Sequence, residues 1–485
     1  MSNQGTSSGS VQNEDEPYYE SVKKNNPFSC PCQPLSRIPQ IVFMSVTVVP
    51  IRLVLLLLVG LTTYIIACIA SIGLCENQRH PVGGIRRSVI WFLQKLGRLL
   101  LFFMGIVNVE VVGKPSTPQE APILAIAPHS SIYDMIMFFI HTPVPSCLSR
   151  QENSSFPIAG PLGKLNQVVY VSRSDRDSRR KAVDAITRRA KSSGNWPQII
   201  IFPEGTMTNT SRLIKFKHGA FIPGVPVQPV FLEFNNSWDT TTWSCEDDGK
   251  LLQLIWYSLC QFYINAKVTY LDVYYPSLEE KINAELYADN VRQVIADYSH
   301  IPCSNLRNED RFLMARAFHF GLPSVIGGIG FVEIQKKYGI SSEKACELLD
   351  QFADIAKPSS ELHIDSFLKY LKLPRCDKSL ELFNKYEVNR KGSIDFKSFV
   401  LGRIQHFDKL VSSNFSEVFN SLSGSKSVIN FEQFKKKLLK MLDSNEIDDL
   451  YSVFTENFNL DLTHNQFKSV VVQKPEYIHF LMDLK

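Results

Sequence analysis

Between Ile41 and Leu74 the chain is apolar almost throughout; Arg52 is its charged residue, and none follows from Leu53 to Leu74. A run of that length can cross a bilayer as a helix, which predicts a transmembrane segment over 41–75. A second apolar run, Val89 to Val109, is interrupted by Lys95 and Arg98. It predicts an interfacial segment over 85–110 whose cations snorkel to water, with the first helix of a soluble domain as the other reading. From about Gly113 to Tyr275, short β-rich runs alternate with helical spacing. Ile123–Ile126, Val168–Val171, Ile199–Phe202 and Val227–Leu232 read as strands, and Asp175–Ala190 as a helix. Such alternation predicts an α/β sheet domain, here over 113–300. Leu251 to Ile264 is apolar and aromatic and predicts a further helix against the core or the membrane.

After about Pro302 the pattern becomes helices with Phe at helical intervals and short polar breaks. It predicts a helical linker over 301–340 and an all-α domain over 341–485. The break from Glu387 to Ser398 has the frame of an EF-hand loop, with Gly392 sixth for the sharp turn and Ile394 eighth for a pairing bridge. Weaker echoes surround Ile364, Ile429 and Leu462, which suggests a repeated helix–loop–helix array. Glu387, Asn389 and Lys391 occupy the first, third and fifth ligand positions, and Ser398 stands where a bidentate Glu closes such a loop. A cation among the ligands and no closing carboxylate predict that loop 387–398 does not bind Ca²⁺ and that the array is structural.

Composition changes this picture little. The polar opening, Met1 to about Asn26, predicts disorder within a tail over 1–40, and the apolar run comes too late for a cleavable signal peptide. Lys+Arg of 52 against Asp+Glu of 48 leaves a net charge of +4, without the electrostatic footprint of a nucleic-acid binder. The ten cysteines lack metal-like or disulfide-framework spacing and fit reduced thiols. Cys30 and Cys32 read as loop thiols or as palmitoylation sites beside the membrane segment. Basic residues flank the apolar run on both sides, so its orientation stays open.

Two polar turns carry the chemistry. Ala127-Pro128-His129-Ser130-Ser131-Ile132-Tyr133-Asp134 closes one predicted strand, and Phe202-Pro203-Glu204-Gly205-Thr206 closes another. In a parallel sheet both would open at the same edge, where α/β folds bind ligands. An imidazole titrates near neutral pH, so His129 can serve as general base, with Asp134 fixing its tautomer if the chain turns before the helix begins. Alone, the pair reads either that way or as a His capping a helix beside a surface salt bridge. Glu204 reads as a site carboxylate or a helix cap, and Gly205 permits close backbone approach. Arg173, just past a strand, can grip a phosphate bidentately or simply be solvated. Lys215 and Lys217 are further phosphate candidates, with ordinary surface lysines as the alternative.

His129 to Asp134 resembles the HxxxxD motif of the glycerolipid acyltransferases, and Phe202 to Thr206 resembles their FPEGT block. Arg173 matches the arginine of their second block, and Val225 to Val230 looks like their fourth. Trp196-Pro197-Gln198 and Lys217 to Val230, followed by EF-hand-like repeats, are similar to the lysophosphatidylcholine acyltransferase branch. The third block continues Met207-Thr208-Asn209-Thr210-Ser211-Arg212, where relatives tend to carry Cys at Met207 and Arg at Thr210.

The resemblance implies an α/β acyltransferase domain behind an N-terminal transmembrane helix, followed by an all-α EF-hand-like domain. It implies acyl transfer from acyl-CoA to a lysophospholipid hydroxyl at a bilayer, with His129 and Asp134 catalytic. Arg173, Glu204, Gly205, Thr206 and Lys217 would bind substrate. No cofactor is expected besides acyl-CoA as co-substrate, and the endoplasmic reticulum membrane is the expected location, with Golgi or lipid droplets as alternatives. The competing readings are a membrane-anchored interaction module with an inert domain and a lipid hydrolase. The latter lacks a Gly-x-Ser-x-Gly elbow, and no HExxH supports zinc hydrolysis.

Overall fold

The first apolar run folds as two helices, α1 (Ile38–Val46) and α2 (Val48–Ser71), which meet at Thr47. The computed structural model describes residues 26–29, 35–76, 78, 80–141, 146–172, 175–244, 251–357, 360–371, 373, 375–386, 392–404, 420, 423, 428–430 and 461–463. They divide into two compact units, Met1–Arg311 and Phe312–Lys485.

In the first unit, α2 is long and apolar enough to cross a membrane. It buries a stripe, Val49, Val59, Thr63 and Ala67, while Ile51, Val54, Leu57, Leu61, Ile65 and Ile69 are exposed. The charge that interrupts the run is satisfied internally. Arg52 donates to the carbonyls of Leu259 at 2.6 Å, Gln261 at 2.7 Å and Phe262 at 3.1 Å. Helix α3 (Ile85–Phe103) packs beside α2 through Ile90 and Leu93 against Ala67 and Leu165. Arg86 on α3 donates to the carbonyls of Ala70 and Ile72, supplying donors to the open end of α2.

The second apolar run is therefore not one element. It is helical to Phe103 and then becomes β1 (Ile106–Val112), where β-branched residues suit an edge strand. Arg98 joins the two by donating to the carbonyls of Ile106 and Val107.

Six more strands complete the sheet: β2 (Ile123–Ala127), β3 (Ser146–Arg150), β4 (Val169–Val171), β5 (Ile199–Ile201), β6 (Val227–Asn235) and β7 (Ile264–Tyr270). The seven-stranded order is β1-β7-β6-β2-β5-β3-β4. The β6–β7 pair is antiparallel and its other neighbours are parallel. Helices α4 (Asp134–His141), α5 (Ala159–Leu165), α6 (Arg176–Ala190), α7 (Leu251–Leu259), α8 (Leu278–Ile282), α9 (Ala284–Ser299) and α10 (Asn308–His319) connect or flank the strands. The helix expected over Leu251–Ile264 stops at Leu259, because Ile264, Ala266 and Val268 face the core at strand spacing and begin β7.

Strand β2 lies at the centre and is buried along its whole length. Ile123, Ala125 and Ala127 pack on Ile186 of α6 and on Tyr287, Val291 and Ile295 of α9. Leu124 and Ile126 belong to the opposite cluster, with Met137 and Phe138 of α4, Leu101 of α3 and Val49 of α2. A strand covered on both faces reads as a continuous apolar run, and each large side chain so buried stabilises by about 1.5–3 kcal/mol.

The second unit contains α11 (Phe331–Tyr338), α12 (Ser342–Ala356), β8 (Leu362–His363), α13 (Ile364–Tyr370), α14 (Asp377–Tyr386), β9 (Ser393–Ile394) and α15 (Phe396–Gly402). The helically spaced aromatics meet: Phe352 lies against Phe396 and Phe399, and Phe367 against Phe383 and Tyr386. β8 and β9 pair antiparallel, Leu362 opposite Ile394. Each of those residues follows a left-handed position by two, Ser360 at φ 65° and Gly392 at φ 77°. The expected echo at Ile364 is displaced, since Ile364 opens α13 and Leu362 makes the bridge. β10 (Val428–Asn430) and β11 (Asp461–Thr463) also pair antiparallel, Ile429 opposite Leu462. Residues 387–391 lie outside the described residues.

Arg52→Met keeps the apolar stem but removes the donors from three carbonyls at the α7–β7 turn. Unfolding in detergent is expected to become about 1–3 kcal/mol easier, read as a lower denaturation midpoint. An unchanged midpoint would show that those carbonyls find other partners.

Candidate active site

The turn after β2 brings His129 onto Asp134. Nδ1 of His129 lies 2.7 Å from Oδ2 of Asp134, with His129 16% exposed and Asp134 fully buried. The same Oδ2 accepts hydrogen bonds from the backbone N–H groups of Ser130 at 2.9 Å and Ser131 at 3.0 Å. Helix α4 begins only at Asp134, so the whole stretch from His129 is a turn. On a continuous helix a step of five residues would separate the two side chains by about 140°. An oxygen that already accepts two N–H bonds is the acceptor of the shared bond too, so Nδ1 donates and Nε2 of the neutral ring keeps its lone pair.

The second turn holds the first. β5 pairs directly and in parallel with β2, Ile123 opposite Ile199 and Ala125 opposite Ile201, so both turns leave the sheet at one edge. Glu204 Oε2 accepts from His129 N–H at 2.7 Å, and its Oε1 accepts from Ile214 N–H at 3.3 Å. Thr208 N–H donates to the carbonyl of His129 at 2.8 Å. The Phe202 ring stacks on the imidazole with centroids 4.2 Å apart.

Glu204 is completely buried, inside the molecule rather than on the open edge the sequence suggested. Burial pushes its carboxyl up to about 8, with nearby Asp134 adding to the rise. The two backbone bonds and Arg292 oppose that rise.

Gly205 has φ 69°, and a Cβ there would lie 2.8 Å from Cε of Lys217. The lysine side chain therefore lies across bare backbone, and its Nζ is 3.3 Å from Oε1 of Glu309. Thr206 is buried, and its Oγ1 accepts from Nη1 of Arg311 at 3.1 Å. Arg173 lies outside the described residues.

Glu309 and Arg311 escaped the sequence reading. They sit in the segment assigned to a linker, and nothing local marks them as partners of residues some hundred positions earlier. The stretch before them also docks: Leu213 and Lys215 N–H groups donate to the carbonyls of Pro302 and Leu306.

A second unforeseen contact comes from the tail. Asn209, a residue in a glycosylation-type sequon, uses its side-chain amide on the carbonyls of Asn26 and Ser29 and on the Ser29 hydroxyl. Its backbone N–H bonds the carbonyl of Pro27, and Phe28 beside it is fully buried.

With this geometry in view, the family model and the relatives found by sequence agree. The family model described as Acyltransferase matches residues 108–233, which contain both turns. Human lysophosphatidylcholine acyltransferase 2 is 37% identical over 444 residues, 90% of this chain and 81% of that one. Rat lysophosphatidylcholine acyltransferase 1 is 38% identical over 365 residues, 75% of this chain and 68% of that one. The solved 1-acyl-sn-glycerophosphate acyltransferase of Thermotoga maritima covers 51% of this chain and 98% of its own at 17% identity, with a TM-score of 0.34 too low to weigh.

Glu204 makes stability depend on pH. With its folded value near 8 and an ordinary value of 4.5, the folded state holds the proton more tightly. The stabilisation is complete below about pH 4.5 and is lost as pH rises through about 8. Glu204→Gln keeps an acceptor for His129 N–H and cannot titrate. Thermal midpoints of wild type are expected to fall relative to this variant between about pH 5 and 8.5; parallel curves would contradict a raised carboxyl.

Proposed function

The chain belongs to the lysophosphatidylcholine acyltransferase family, and on that premise we propose how its site works. The protein is an acyltransferase acting on lysophospholipids. His129 is the general base. Its Nε2 takes the proton of the lysolipid's free glycerol hydroxyl, whose oxygen attacks the thioester carbonyl of acyl-CoA. Asp134 holds the imidazole through Nδ1 and stabilises the imidazolium that forms. The tetrahedral intermediate collapses with cleavage of the carbon–sulfur bond. The CoA thiolate leaves and takes the proton from Nε2, which restores the neutral ring. No covalent enzyme intermediate and no metal enters these steps. The 2.7 Å contact of His129 with buried Asp134 carries this reading.

Around the pair, Glu204 positions rather than binds, since it is buried and holds the backbone of His129. Thr206 likewise directs Arg311. Lys217, which lies across Gly205 and pairs with Glu309, is assigned to the acceptor's phosphate, and Arg173 is assigned the same task by its place in the second block.

The open face of α2 meets lipid. Leu252 and Trp256 on α7, with Phe262 and Tyr263 after it, expose further apolar and aromatic surface suited to a bilayer interface. Helix α2 spans the bilayer with one stripe, Val49, Val59, Thr63 and Ala67, packed on the rest of the first unit and the remainder turned to lipid. Endoplasmic reticulum membranes are the location that family membership supports.

The second unit is an EF-hand-like domain without Ca²⁺ binding. The antiparallel bridges at Leu362–Ile394 and Ile429–Leu462, with left-handed Ser360 and Gly392 two residues before the first pair, support the EF-like frame. Lys391 and Ser398 at ligand positions oppose a bound divalent cation.

Membranes carrying wild type are expected to acylate lysophosphatidylcholine from acyl-CoA. His129→Ala and Asp134→Asn should each lose on the order of 10²–10⁴-fold in kcat. An active His129→Ala protein would remove the general-base assignment. The rate should be the same with Ca²⁺ and with chelator; a Ca²⁺-stimulated rate would overturn the structural reading of the second unit.

A further inference from the structure

Glu309 and Arg311 stand outside the stretch that matches the acyltransferase family model, residues 108–233, yet both reach its second turn. Two residues apart on the first turns of α10, they point different ways around the helix axis. Glu309 meets Lys217, whose stem lies over Gly205, and Arg311 meets the hydroxyl of Thr206, the next residue. Adjacent positions of the second turn thus meet two cations and one carboxylate. The Lys217–Glu309 pair is 43% and 35% exposed, and a pair so open to water is held weakly.

We infer that Lys217 and Arg311 together grip the acceptor's phosphate and that Glu309 reads the cationic end of a zwitterionic headgroup. This rests on the lysophospholipid reading of the same site. The phosphate displaces Glu309 from the Lys217 ammonium, whose stem lies over the bare backbone of Gly205 and leaves no room there for a side chain. Arg311, directed by its bond to Thr206, supplies the second cation. The carboxylate that was displaced then faces the quaternary ammonium of a choline group. A lysolipid ending in phosphate alone leaves Glu309 against a like charge, which selects against it. Glu309 is thus a specificity residue for the headgroup, remote from the proton transfer at His129.

The test uses full-length protein in membranes and one acyl-CoA, with lysophosphatidylcholine and lysophosphatidate as acceptors, separately and in competition. Glu309→Gln is expected to raise KM for lysophosphatidylcholine about fivefold, with kcat little changed and lysophosphatidate used as well as before or better. Glu309→Asp should restore most of the preference. Arg311→Gln should raise KM for both acceptors, and Arg311→Lys should recover part of the loss. If Glu309→Gln changes both acceptors equally, or neither, the headgroup assignment falls while the acyltransferase reading survives. A wild type that acylates neither acceptor removes the underlying reading and this inference with it.

Discussion

β2 and β5 run side by side in the same direction, and the two chemically equipped turns of the chain leave the sheet from their adjacent ends. The contacts between the two turns follow from that register. It lets Glu204 reach the backbone N–H of His129, places Phe202 against the imidazole, and lets Thr208 close on the carbonyl of His129. A shift of either strand by one residue would turn its buried side chains to the opposite face, and both faces are filled by helices.

Two carboxyl groups near one imidazole are held differently. Asp134 accepts two backbone N–H bonds at Oδ2, the oxygen that also faces Nδ1. Glu204 has two backbone donors, one of them long, and no exposure, so burial raises its affinity for a proton. The nearby charge of Asp134 pushes in the same direction. A neutral or nearly neutral Glu204 can hold the backbone of His129 without setting a second full negative charge beside the ring. The cations lie instead with Lys217 and Arg311, around Gly205 and Thr206. On the proposed mechanism, proton transfer and anion binding are in this way divided between the two turns.

The first unit draws parts from distant stretches to finish that edge. Arg52, which looks costly in an apolar run, bonds the turn between α7 and β7. Asn26–Ser29 joins Asn209 just after the second turn, and 302–311 lies along 213–217 and reaches Thr206. The second unit is built on a different principle, a core of helically spaced aromatic rings with short antiparallel bridges between loops.

Periodicity alone marks the apolar helical stretch at the start and the central strands, because local burial imprints a period on the residues themselves; the units divide after Arg311, later than the change of texture at Pro302. Residue chemistry at strand ends was enough to single out His129, Asp134 and Glu204. Periodicity failed at β1 and β7, whose apolar residues continue a helical run, since a short apolar stretch suits a helix or a strand until its neighbours are known, and it left β3 unread. The interior position of Glu204 and the partners of Lys217 and Thr206 had no local signature. Those depend on which strands lie side by side and where residues far apart in sequence return, and hydrogen bonds made across such distances leave no spacing in the chain from which to read them.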